Sequence, residues 1–244
     1  MIPLNPLFFI AAFLAYTVKG MSGFANTLVL SSILSFQANN LNITPLDLVL
    51  SLPSNLALAW RDRQKLNLRI CGPMALCTVL GALPGVFLLK TGNSEILKIA
   101  MGVLIMLIGL ETASRGPGVS KMNPAAMIAI GLISGVMSGI FGIGALMVAY
   151  INRCSGSNSE FRGNVCFVFA ADNVFRMILY IATGVMTWDI VLQSLWLLPV
   201  TFIGIFVGAK IADRVGDARA RRITAWLLVF SGASVVLTNI LAIL

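Results

Sequence analysis

The sequence predicts an all-α integral membrane protein made of two inverted repeats, each a re-entrant helical hairpin followed by three transmembrane helices. Three observations carry this expectation. Of 244 residues, 58% are hydrophobic and only 11% are charged, against about 25% charged in a soluble domain, so the chain cannot cover itself with a wetted surface. Apolar runs of roughly 18 residues or more recur along it, the length a helix needs to cross a bilayer. The basic residues, which give a net charge of +8, collect in the loops between those runs, where the positive-inside rule places them.

Taken in order, Pro6 to Ser35 is one apolar run, interrupted by Lys19 and by Gly20–Asn26. Ile43–Trp60 is a shorter span opening on Thr44-Pro45-Leu46-Asp47, which reads as a helix start with proline in the first turn. The basic loop at Arg61–Lys65 leads to spans at Leu68–Leu89 and Ile96–Ala113. Residues 115–123 are the linker between a first repeat, 1–114, and a second, 124–244. The second opens on the long glycine-rich run Ala125–Ile151, followed by a polar loop at Asn152–Arg162. Spans at Val165–Thr183, Ile190–Ala212 and Ile223–Leu244 complete it.

The halves resemble each other residue by residue. Gly23-Phe24-Ala25-Asn26 pairs with Gly142-Ile143-Gly144-Ala145, Ser54-Asn55 with Asp172-Asn173, and Gly81-x-x-x-Gly85 with Gly204-x-x-x-Gly208. Internal repeats are typical of secondary transporters. The loop at Arg61–Arg69 is basic while its counterpart Gly184–Asp189 is not; in the next pair the bias reverses, with Lys210–Arg222 basic. Equivalent loops therefore lie on opposite sides, which makes the repeat inverted. Inversion needs an odd number of crossings per half, so the glycine-rich runs become hairpins and both termini lie outside the cytoplasmic membrane.

Broken backbone survives at membrane depth only where protein or water satisfies it. Helix starts facing a dry cavity offer free N–H groups and the positive end of the dipole, which suits an anion. The candidate site residues are accordingly Lys19, Ser22, Gly23, Asn26, Asn55, Gly142, Gly144, Asn173 and Arg176. Asp172 lies four residues before Arg176, on one helix face. It serves either a structural ion pair or as a carrier of a coupled proton. Each such charge costs about 2.5–3.5 kcal/mol at a helix centre, so a role is expected of it. Gly131, Gly135, Gly139, Gly81, Gly85, Gly204 and Gly208 read as close-packing positions between helices, and Asp47 and Glu111 as interfacial residues near span ends.

No enzyme is expected: the chain has no histidine and no close Ser/Lys pair, paired aspartates or metal cluster. No cofactor or metal is expected, and loop placement of the basic residues argues against nucleic acid. The expected partners are a small anionic substrate and the lipid bilayer, with a homo-oligomer left open. The Gly135-x-x-x-Gly139-x-x-Gly142-x-Gly144 run, the duplicated layout and the matched asparagines resemble the TauE/SafE sulfite exporter family of bacterial membrane permeases. That resemblance implies transport of sulfite, an organosulfonate or a related small acid. A secondary carrier and an anion channel using the same site are the two readings it leaves.

Overall fold

A computed structural model describes residues 5–34, 40–91 and 123–216 continuously, with scattered helical positions in 99–113 and 219–237. The expected spans Ile96–Ala113 and Ile223–Leu244, the linker and Glu111 fall largely or wholly outside the described residues.

The two hairpins begin alike. Helix α1 (Pro6–Ser22) starts at Asn5, whose Oδ1 accepts the Leu7 N–H at 3.1 Å. Helix α5 (Pro124–Phe141) starts at Asn123, whose Oδ1 accepts from Ala125 at 3.1 Å. In both, asparagine caps the first orphan donors and proline takes the first turn, where no N–H is needed. After α1 come α2 (Asn26–Leu34), α3 (Asn40–Arg61), a 3-10 turn at Arg63–Lys65 and α4 (Leu68–Thr91). After α5 come α6 (Ala145–Cys154), α7 (Asn158–Ala182) and α8 (Trp188–Val215). Among the described residues five helices are long and apolar enough to cross a membrane, and α1 is shorter. Many outward side chains are apolar, among them Ile178, Ile181, Trp196 and Phe206, so the helices are clothed for lipid. Exposed Trp60 and Trp188 stand near helix ends, as interfacial anchors do.

Two boundary expectations are corrected. The polar stretch at 152–162 is mostly helix: α6 runs to Cys154 and α7 begins at Asn158. Ser157 caps the Glu160 N–H at 3.2 Å, and the Glu160 carboxylate accepts from Gly156 at 2.9 Å, a reciprocal arrangement that lets a helix begin in polar sequence. Helix α3 begins at Asn40 rather than near Thr44, so Pro45 lies inside it. Asp47 is then buried, not interfacial.

Helix α6 doubles back along α5. The Met147 N–H is held by Ser134 Oγ at 3.2 Å, and Tyr150 OH reaches the Asn123 carbonyl at 3.0 Å. A straight continuation would put Tyr150 some 40 Å from Asn123 at 1.5 Å per residue.

Glycine seams join the helices. Methyl groups at Gly81 and Gly135 would collide with the Leu132 and Thr78 carbonyls across the α4–α5 contact. Methyl groups at Gly20 and Gly208 would meet the Ile205 and Thr17 carbonyls across α1–α8. Gly81, Gly135 and Gly208 are packing positions expected from their spacing; Gly20, read from sequence as part of the break, packs in the same way. Thus α5 leans on α4 and α1 on α8, and α3 packs on α7.

One end of the bundle gathers basic residues. Arg61 pairs with Asp213 at 2.7 Å, Lys65 Nζ donates to Ser159 at 3.1 Å, and the Asn67 N–H donates to Asn164 Oδ1 at 2.9 Å. At this end α3 finishes and α7 starts, while α4 starts and α8 finishes. Helices α3 and α7 therefore run in opposite directions, as do α4 and α8.

Candidate functional site: a cavity between two broken helices

The breaks share one anatomy. α1 closes at Gly23 and α5 at Gly142, both left-handed, with φ of 84° and 73°. Each glycine donates its N–H four residues back, to Lys19 O at 2.6 Å and Ser138 O at 2.8 Å. This cap turns the chain out of a helix without a Cβ clash. Two non-helical residues follow, and the next helix begins at Asn26 or at Ala145. The register is the one that sets Gly23–Asn26 on Gly142–Ala145. It differs at one point: Ala25 has φ 71° where Gly144 has φ −108°. A left-handed alanine carries strain of about 1–2 kcal/mol, held at the tip of the first hairpin.

A narrow cavity of about 30 Å³ lies between the tips. It is lined by Phe24–Leu28 and Gly142–Ala145 at the breaks and by Lys19, Ser51, Asn55, Val148, Phe169, Asn173 and Arg176 around them. Gly144 gives α6 no side-chain cap, so the first turn of that helix keeps N–H donors for a ligand. Among the described residues, the charged ones in the lining are Lys19 and Arg176. Lys19 is buried, with Nζ 5.3 Å from the Tyr16 ring centroid, and no ion pair to it is found among the described residues.

Arg176 is fixed from three sides. Nε donates to Asp172 Oδ2 at 2.9 Å, Nη1 to Ser138 O at 3.1 Å and Nη2 to Asn173 Oδ1 at 2.6 Å. A guanidinium has five N–H groups; three are engaged in this way, the Tyr180 hydroxyl is a further partner, and Arg176 also borders the cavity. With its Oδ1 engaged by Arg176, Asn173 has a buried Nδ2 without a protein partner, and Asn55 Oδ1 is likewise unpaired. Buried polar atoms of this kind are rare and call for an occupant. A half-turn of the Asn55 amide would present a donor as well.

Gly142 stands where its freedom matters. A methyl there would sit 3.2–3.4 Å from Thr44, Thr27 and Arg176 Nη1, on a backbone with φ 73°. Gly142→Ala is expected to cost about 1–2 kcal/mol through the left-handed backbone and to crowd the cavity. Melting in detergent and uptake in proteoliposomes check it; wild-type values in both would show the tip to be loosely held.

Residues 8–235 match the family described as sulfite exporter TauE/SafE. The chain belongs to that family. A protein of Cupriavidus necator described as a probable sulfite/organosulfonate exporter TauE is 24% identical over 172 residues, 67% of each chain. No solved structure matches the chain. This TauE/SafE chain is therefore a multi-pass membrane protein of a transporter family.

Of the residues expected at a site, Lys19, Asn26, Asn55, Gly142, Gly144, Asn173 and Arg176 border this cavity. Ser22 and Gly23 do not line it: Ser22 Oγ ties the Val18 and Phe24 carbonyls at 2.9 and 2.8 Å, and Gly23 packs on Arg162. They shape the turn. Asp172 stands behind Arg176, accepting from Ser138 Oγ at 2.5 Å and keeping Oδ1 unpartnered.

Sequence reading of this TauE/SafE chain missed Asp47, Thr27, Ser51 and Tyr16. Asp47 accepts from Tyr16 OH at 2.8 Å, Asn26 Nδ2 at 2.9 Å and Thr27 Oγ1 at 2.5 Å, and Ser51 Oγ lies within 3.3 Å. This carboxylate pins the start of α2 to α3. A signal was present: Asp47, Ser51 and Asn55 are spaced by four and share a helix face. Adding Asp47 also balances the buried charge of Lys19, Arg176 and Asp172. The positive field is then local to the cavity, whose wall holds the cations while both carboxylates lie behind it.

Proposed function

We infer that this chain is a secondary carrier that moves a small anion, sulfite or an organosulfonate or organic acid, across the cytoplasmic membrane by alternating access. One observation carries the reading: two helix breaks of like geometry face one cavity whose charged wall residues, among the described residues, are both cations. The anion would lie between the tips, against the first turn of α6, the Asn173 amide, Lys19 and Arg176. The family and its exporter relative support a sulfur oxyanion as cargo.

Alternating access fits an inverted repeat, with repeats at 1–114 and 124–244 joined by 115–123. Three features support that reading: equivalent helices run antiparallel, the two breaks share a register, and each hairpin packs on the other half. Rocking one half against the other would then expose the same site to each side. A cavity of about 30 Å³ has room for little more than a water or two, so the site would have to widen to admit cargo. An anion channel using the same site is separated from the carrier by its transport, which would not saturate at low substrate. Coupling to protons, where present, would run through Asp172.

Lys19→Met tests the site most cleanly. Methionine keeps the apolar stem and removes a buried cation that has no ion-pair partner among the described residues. Stability is expected to hold or rise, while uptake of labelled sulfite into proteoliposomes falls about tenfold or more, the equivalent of about 1.4 kcal/mol. Normal uptake would remove Lys19 from the site. The basic end is expected in the cytoplasm, with both termini outside. Reporters fused to each terminus check this, and an active cytoplasmic reporter at the C-terminus would contradict it.

A further inference from the structure

One buried ion pair has no part in the cavity. Arg162 Nε and Nη2 stand 2.6 and 3.1 Å from the two oxygens of Asp62, with side chains only 5% and 8% exposed. Asp62 belongs to the turn between α3 and α4, flanked by Arg61 and Arg63 at the basic end. On its inner side Arg162 touches the first hairpin tip: a methyl at Gly23 would stand 2.7 Å from Arg162 Cγ. One helical turn deeper, the Cys166 thiol donates to Gly23 O at 3.3 Å.

Arg162, Cys166, Phe169, Asn173 and Arg176 follow a spacing of four, three, four and three, so they share one face of α7. The inner three line the cavity. This stripe leads from the cavity, past the Gly23 tip, to the basic end, and Arg162 is its outermost cation.

Resting on the carrier reading above, we propose that Arg162 is a second anion-binding position, where the transported oxyanion takes the place held here by the Asp62 carboxylate. Carboxylate, sulfite and sulfonate all present paired oxygens to a guanidinium fork. A buried arginine stripped of its partner is strongly disfavoured. An anion travelling along this face therefore finds a cation already desolvated and shaped for it. Asp62 covers that cation when no anion is there. The basic rim of Arg61, Arg63 and Lys65 would concentrate anions just outside.

Chemical rescue tests this without relying on transport. Asp62→Ala leaves Arg162 buried beside an empty space that formate or sulfite can refill. Purified Asp62→Ala protein is expected to gain about 3 °C or more in melting temperature from either anion beyond the wild-type gain. The Asp62→Ala/Arg162→Gln double variant should lose that extra gain. Equal gains in wild type and Asp62→Ala, or an undiminished gain in the double variant, would overturn the proposal. Asp62→Ser, still small enough to leave that space open, is the variant to use if the alanine form does not accumulate, and is read the same way.

A charge swap, Asp62→Arg with Arg162→Asp, separates binding from architecture. Melting temperature should largely recover while sulfite uptake stays at least about fivefold below wild type, because the cation has left the α7 stripe. Recovery of uptake along with stability would make the pair purely structural. If wild-type proteoliposomes move no sulfite or sulfonate, the carrier reading falls, while formate rescue still decides whether Arg162 is an anion position.

Discussion

Arg176→Ala is expected to abolish anion uptake and to cost the fold about 3–5 kcal/mol, the usual penalty for breaking a buried ion pair from one side. The guanidinium joins four groups: the Asp172 carboxylate, the Ser138 carbonyl at the end of α5, the Asn173 amide and the cavity. Removing it leaves the Asp172 carboxylate buried, with Ser138 Oγ as its one remaining side-chain donor. The Asp172→Asn/Arg176→Met double variant separates the two losses. With both charges gone the desolvation penalty disappears, so melting temperature should return most of the way. Uptake should not return, since the cavity wall has lost one of its two cations. Detergent melting and sulfite uptake, measured on both variants, check this. Uptake by the double variant at wild-type rate would mean the Arg176 charge is architectural and the anion binds elsewhere.

Gly135→Val should be among the most damaging substitutions outside the cavity. The added Cβ would stand 2.8 Å from Gly81 Cα and 2.9 Å from the Ala82 nitrogen, and would run into the Thr78 carbonyl. These are backbone atoms of α4, so no side chain can swing aside. The α4–α5 pair must separate, at an expected cost of about 3 kcal/mol or more, and the second hairpin loses the support that holds its tip. Gly208→Val should do the same to the first hairpin through Thr17 on α1. Gly72→Val is the control: nothing lies within 4 Å of a Cβ there, and the position is helical. The readout is yield of monodisperse protein together with melting temperature. If Gly135→Val behaved like Gly72→Val, the seam would not be a rigid backbone contact.

The composition and periodicity determined the solvent. With 11% charged residues, the chain has to place its apolar faces against lipid, and helices are the economical way to satisfy backbone in lipid. The positions of the two breaks were also legible. Glycine is the residue that can close a helix left-handed in the middle of an apolar run, and Gly23 and Gly142 do so with the same hydrogen bond. The Asn-Pro caps at 5–6 and 123–124 were equally readable and went unnoticed, because a cap is judged from the helix it starts.

What had to wait for the folded chain was the chemistry of partners far apart in sequence. Asp47 looks interfacial when α3 is taken to begin at Thr44, and becomes a buried anchor once the helix starts at Asn40. Arg162 looks like loop charge until its partner, 100 residues earlier, is seen beside it. Local patterns fix where a helix starts, stops and turns its apolar face, since those depend on neighbours a few residues away. Which buried charges meet depends on how whole helices cross, and crossing angles are set by side-chain packing between segments that no local pattern records.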